Sequence, residues 1–353
     1  MAREVWKHPT ALSICCAAMA LFLAGGNHAR ANQTPEVTVE TVLSGLDNPC
    51  GIALQPGTGH IFVSDSAGLR VVKFDPTKPG EAADVITGFP EGTYGSGPVY
   101  KIGPLGLAFL SRNTLLVGGG GLVDGEEVLR VYFLPNSGSV LTADAAHTLG
   151  PLPKSDQTAT GEGNFYSLAV NRQRNTVYIT SNGDDAKGWL FKATVKRGKP
   201  VSLAPFISTK IATGVDAPVA ITMNHKGYIV VGQMGEMDQP RDSLLTMYRP
   251  DNKQLVMCRE VGLHDISALA QSESHQLCVA DFSWNDPSQG GVSRLDEAWA
   301  DARPSIAAVP VAALDKPTAM VFGRDGALYV TVFGSAADDS AEKSGRVVRI
   351  EFK

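Results

Sequence analysis

The sequence predicts an all-β protein built as a six-bladed β-propeller, with four antiparallel strands per blade and the last blade closed by the N-terminal strand. Three observations predict it. A unit of similar pattern occurs six times, its apolar runs are too short for helices, and an unpartnered strand precedes the first copy while the last copy lacks one.

Each copy is a short apolar run, a polar turn, a second β-branched or aromatic run, a variable loop and a third run near a charge. The copies read GIALQPGTGHIFVSD from Gly51, GLAFLSRNTLLVGG from Gly106, SLAVNRQRNTVYITS from Ser167, AITMNHKGYIVVGQ from Ala220, SALAQSESHQLCVAD from Ser267 and AMVFGRDGALYVTV from Ala319, spaced by 55, 61, 53, 47 and 52 residues. The first and fifth align without a gap, Gly51 with Ser267 through Asp65 with Asp281. Third runs begin at Leu69, Val128, Gly188, Ser243, Gly291 and Gly345, and less regular fourth runs at Ala83, Val201, Gln254 and Ile306. Pro and Gly punctuate every copy, and runs of this length with this composition are strands rather than helices.

The closing strand is also visible. The last copy stops after its third run at Phe352, while Glu36 to Leu46, EVTVETVLSGL, alternates as an extended strand with no partner in the first copy. Pairing the two seals the ring and removes the one open sheet edge.

Arg3 and Lys7 precede the apolar run Ala11 to Ala24, and Ala29-Arg30-Ala31 offers small residues at both recognition positions, which predicts a secretory signal peptide over residues 1–31. The run is shorter than the roughly 20 residues of a spanning helix, so no transmembrane segment is expected after cleavage. The remaining 322 residues, 32–353, are expected to form one propeller domain, exported to the periplasm or the extracellular space. With 31 Lys+Arg against 36 Asp+Glu, a net charge of −5 and 43% hydrophobic residues, the composition is that of a globular chain and argues against a nucleic-acid partner. Cys50, Cys258 and Cys278 are an odd set with no C-x-x-C pair, so at least one thiol stays free, and no zinc knuckle or dithiol motif is present.

The phrases NPCGIALQPGTGHIFVSDSAGLRVVKFD and KPTAMVFGRDGALYVTVFG resemble NHL repeats and the wider six-bladed group of gluconolactonases, strictosidine-synthase-like proteins and soluble sugar dehydrogenases. The resemblance spans all six copies and implies the fold. It also implies that residues beginning the innermost strand and those leaving the second strand gather at one face of the channel. A metal-dependent lactonase of this group would place Glu, Asn and Asp around that ring. Here the innermost positions are Cys50, Leu105, Tyr166, Val219, Ile266 and Thr318, a poor cage for a hard cation. The arginine-rich surroundings implied by the quinone-dependent sugar dehydrogenases are likewise not evident, although SGLDNP matches their opening phrase.

The ends of the second strands carry oxygen donors. On this reading Asp65, Asn164, Tyr166, Asn182, Asp184, Glu236, Asp281 and Asn285 are ligand-binding candidates at the channel mouth, and Asp65, Asp184, Glu236 and Asp281 are the metal candidates, with calcium the ion that suits them. Asp, Asn and Gly are also what tight turns favour, so the same residues could serve the backbone alone. Catalytic candidates are His264, Asp265 and Asp281: a His-Asp pair beside a second carboxylate could support acid/base chemistry, but no nucleophile elbow accompanies it. Whether the protein is an enzyme stays open. The leading expectation is an exported module that binds a small molecule, polysaccharide or protein at the channel mouth. A metal-dependent lactone or ester hydrolase with a divergent site is the first alternative, and a quinone-dependent sugar oxidoreductase the second.

Overall fold

The computed structural model describes residues 34–95, 98–152, 163–182, 188–236, 239–300, 303–334 and 343–353. They form six antiparallel sheets around a central channel. The innermost strands are Pro49–Leu54, Pro104–Ser111, Phe165–Val170, Pro218–Met223, Ile266–Gln271 and Pro317–Phe322, one for each of blades 1 to 6, and each lies against the next around the ring. Outward from them come the second strands (in blade 1 Ile61–Asp65, in blade 5 Leu277–Asp281), then the third and fourth. The described residues hold one short α-helix, Thr209–Thr213, capped by the Ser208 side chain accepting from the Ile211 N–H.

Strand periodicity builds the core. Alternate side chains of a blade face opposite neighbours, so Leu115 and Val117 pack toward blade 1 while Leu116 packs toward blade 3. The same arrangement fills every junction between blades, with wholly buried Phe62, Phe165, Phe191, Tyr248 and Tyr329 among the largest contributors. Burying each such ring removes it from water at a gain of about 2 kcal/mol or more. Side-chain hydroxyls from the first or second strand of one blade tie it to the inner strand of the next: Ser64 donates to the Leu105 carbonyl (2.5 Å), Thr180 to Val219 (2.8 Å), Ser267 to Pro317 (2.6 Å) and Thr318 to Pro49 (2.6 Å).

The ring closes as the sequence predicts. Val37–Leu46 runs antiparallel to Gly345–Phe352, with Val37 opposite Phe352 and Leu46 opposite Gly345. Val42, Leu43 and Leu46 are buried between blades 6 and 1, and Arg349 reaches Glu40 at 3.1 Å.

Two elements were not foreseen. A hairpin, Gly92–Tyr94 with Tyr100–Ile102, interrupts the connection from blade 1 to blade 2. Leu141–Thr142 adds a fifth, parallel strand to the edge of blade 1. Every inner strand also starts with a register shift, between Pro49 and Gly51 in blade 1 and at the matching place elsewhere. In blades 1, 2, 4 and 6 the first residue is proline, which brings no N–H to the ladder and suits a strand's first position.

The shift changes the expected channel ring. Cys50, Tyr166, Val219 and Thr318 line the channel, but Leu105 and Ile266 are wholly buried between blades, where the irregular start of the strand turns them. Gly106 and Ser267 line the channel in their blades.

Candidate functional site

The inner strands enclose a cavity of 420 Å³ that runs the length of the channel. One end is covered by a cap of aromatic rings. Tyr94 and Tyr100 come from the hairpin, Phe282 and Trp284 from the loop leaving the second strand of blade 5, and Phe333 from the same position in blade 6. Ring centroids lie 5.3 Å apart for Tyr100 and Trp284, 5.5 Å for Tyr100 and Phe333, and 5.8 Å for Tyr94 and Trp284, all edge-to-face. Such pairs add about 1 kcal/mol each to the burial of the rings. Gly95 makes this approach possible: its φ of +102° is open to glycine, and a Cβ there would lie 2.8 Å from the Trp284 ring.

Carboxylates hold the cap loop. Asp265 Oδ2 accepts from the Trp284 N–H at 2.6 Å, and the Asp265 carbonyl accepts from the Phe282 N–H at 2.8 Å. Asp281 accepts from the backbone N–H groups of His264 (2.9 Å), Asp265 (2.8 Å) and Ser283 (3.2 Å). His264 Nδ1 lies 3.5 Å from Asp281. Burial pushes the Asp265 carboxyl up to about 6, against the pull of its bond to Trp284.

A second polar chain meets the cap from blade 3. Asn164 donates to the Asn182 carbonyl (3.3 Å), and Asn182 donates to the Tyr94 hydroxyl (2.9 Å), whose ring stands edge-on to Tyr166 at 5.5 Å. The Tyr166 hydroxyl meets that of Tyr94. Trp284 Nε1 is buried and has no hydrogen-bond partner among the described residues. Burial holds the Tyr166 phenol well above its usual range and pushes the Cys50 thiol, on the channel wall, up to about 12.

Of the residues proposed from sequence, the structure brings Asn164, Tyr166 and Asn182 together at the channel mouth and places His264, Asp265 and Asp281 beside the cap loop. It separates the remainder. Asp65 is wholly buried, accepts from the Asp47 N–H (2.5 Å) and pairs with Arg70 (2.8 Å), so its carboxylate serves the fold. Asp281 is engaged in the same manner. Ser181, donating to the Gly163 carbonyl, and Gln233, donating to that of Val215, do this work in blades 3 and 4. The polar residue ending a second strand thus anchors the chain as it approaches the inner strand. Glu236 and Asn285 are exposed, and Asp184 lies outside the described residues.

The cap residues were missed by the sequence reading. Their one sequence signal was positional: Phe282 and Phe333 both follow directly on the second strand of their blade. A smaller cavity of 220 Å³ lies beside the cap, lined by Tyr94, Gly95, Ala217, Met234, Gly235, Asp265 and Trp284.

Among the described residues the donor set does not fit calcium. Among the described residues no three His, Cys, Asp or Glu side chains converge, and the Asp65 and Asp281 oxygens near the mouth already accept backbone N–H groups, whereas calcium takes 6–8 oxygens. Nor do these residues fit pyrroloquinoline quinone, a planar tricarboxylate, because interlocked rings fill the space over the mouth.

No protein-family model matches the sequence, and no curated relative matches it. Solved structures do share its architecture. A quinone-bound aldose sugar dehydrogenase of Streptomyces coelicolor superposes with a TM-score of 0.61 at 18% identity, covering 91% of this chain and 100% of that one. A luciferin-regenerating enzyme gives 0.61 at 13% identity, covering 89% and 95%. A gluconolactonase of Xanthomonas campestris gives 0.60 at 12% identity, covering 92% and 93%. The chain therefore has the six-bladed propeller fold that gluconolactonases and soluble sugar dehydrogenases also have.

Proposed function

We propose that the protein is an exported binding propeller that holds a small, largely apolar molecule in its central channel, beneath the aromatic cap. One observation carries the reading: a cavity of 420 Å³, lined mostly by apolar side chains, is bordered at its capped end by Tyr166 and Trp284, and Trp284 Nε1 has no hydrogen-bond partner among the described residues. Ligand sites are typically concave, of roughly 300–1,000 Å³, with apolar walls and a few polar groups that orient the ligand. Leaving such a donor unmet costs about 1–3 kcal/mol, which a ligand carbonyl or ether oxygen reaching it beneath the cap would recover. Export rests on Arg3, Lys7 and the apolar run after them, and N-terminal sequencing of the mature protein tests it.

The binding test is titration with the solvatochromic ketone prodan. A saturable, one-to-one blue shift in its emission is expected, weakened by both Trp284→Phe and Tyr166→Phe. Absence of binding, or binding indifferent to both variants, overturns the proposal.

A second reading, hydrolysis of a lactone or ester, draws on Asp265. This carboxyl lines the 220 Å³ cavity and holds its proton to about pH 6, which suits a general acid or base near neutrality. Similarity in fold to a gluconolactonase adds to it only by analogy. Turnover of a simple aliphatic lactone, with a pH midpoint near 6 that Asp265→Asn abolishes, would favour it over pure binding.

A further inference from the structure

We infer that the channel is entered from the rim opposite the cap, and that its ligand is an amphipathic anion: one apolar chain inside the channel and an acid group among the arginines of that rim. This rests on the channel being a ligand site and goes further by naming the route and the chemistry.

The two ends of the cavity differ. At the capped end Tyr100, Phe282, Trp284 and Phe333 are each no more than 7% exposed. At the other end Leu54, Val170, Met223 and Phe322 line the cavity and are only partly buried. Six inner strands whose lining side chains are mostly apolar, open at one end, suit an extended, mainly hydrocarbon chain lying along the axis, with room for an oxygen at its capped end.

Charge is arranged around the open end. The turns from first to second strand carry Arg112, Arg172, Arg174, Lys226 and Arg324, all exposed, against the carboxylates Glu273 and Asp325, in a chain whose net charge is −5. Asp325 is itself taken by Arg349 at 2.9 Å. None of Arg112, Arg172, Arg174 and Arg324 forms an ion pair among the described residues.

Arg174 sits nearest the ligand path. It lines the cavity, and its Nη1 donates to the carbonyls of Phe109 (3.2 Å) and Leu110 (2.9 Å), which tethers the guanidinium while Nε and Nη2 make no bond among the described residues. Arg112 and Arg324 approach from either side of the blade 1 turn. A Cβ at Gly57 would touch Arg112 at 3.5 Å, an ordinary contact, while one at Gly59 would crowd Arg324 at 3.1 Å, so both side chains lie against this turn. Guanidinium groups so placed match carboxylate or phosphate oxygens.

Calorimetry below micelle-forming concentrations tests this, using decanoate, decyl phosphate, decanol and butyrate. Decanoate or decyl phosphate should bind one-to-one and roughly tenfold tighter than decanol, with butyrate undetectable. The ratio of the two anions tells carboxylate from phosphate. Arg174→Gln should erase most of the anion's advantage over decanol. The exposed pair Arg112→Gln with Arg324→Gln is the second test, should Arg174→Gln perturb its turn, and should narrow the same gap. Equal affinity for decanoate and decanol, or an advantage untouched by both sets of variants, overturns the inference. If prodan binds under the cap in either case, the channel reading stands and the anion inference alone fails. Binding to anionic vesicles without binding of free decanoate also overturns it, in favour of a membrane surface.

Discussion

Asp265 accepts a hydrogen bond from the backbone N–H of Trp284 at 2.6 Å, tying the segment that enters the inner strand of blade 5 to the loop that carries the centre of the cap. Asp265→Ala leaves that N–H buried without an acceptor at a cost of about 1–3 kcal/mol. Its effect should be concentrated on the cap. Acrylamide quenching of Trp284 fluorescence, read in a background where the other tryptophans are replaced by phenylalanine, should rise well before urea unfolds the blades.

Asp281 binds three backbone N–H groups, so Asp281→Ala should lower stability by about 2 kcal/mol or more, measured by urea denaturation. A variant as stable as the parent would mean that water replaces the carboxylate there and that Asp281 is available as a ligand.

Removal of residues 36–46 takes Val42, Leu43 and Leu46 out of the junction between blades 6 and 1 and bares the edge of Gly345–Phe352. Each of those side chains contributes about 1.5–3 kcal/mol by burial. A large fall in Tm is expected, with association through the freed edge visible by size-exclusion chromatography.

Glu127 is wholly buried in the loop after the second strand of blade 2, accepts from the Leu122 N–H, and is pushed by burial up to about 7 from an ordinary 4.5. The folded protein then keeps this proton over a range in which the unfolded chain loses it. Stability therefore falls as pH rises from about 4.5 to about 7 and levels off above. Glu127→Gln should flatten that slope, removing a decline on the order of 3 kcal/mol in denaturation curves collected across this range.

The fold was legible because its signal is periodic. Runs such as GIALQPGTGHIFVSD report strand, turn and strand from residue types alone, and Glu36 to Leu46 declares itself as a strand by alternation and by lacking a local partner. The site was legible only in part. Asn164, Tyr166 and Asn182 could be grouped because ring geometry brings equivalent positions together. Asp65 and Asp281 have the composition of ligands, but their oxygens meet backbone N–H groups, a distinction that depends on side-chain direction over less than 3 Å. Tyr94 and Tyr100 were hidden for another reason. Their strands are three residues long within a segment rich in Gly and Pro, and what they touch lies almost two hundred positions away in the chain.

The hairpin before blade 2 rests on rings supplied by blades 5 and 6, so it crosses the molecule like a beam and gauges the diameter of the wheel. A wheel with one module more or fewer would set Tyr100 at the wrong reach from Trp284 and Phe333. Burial of Trp284 thereby becomes an internal signal that the beam is seated on blade 5.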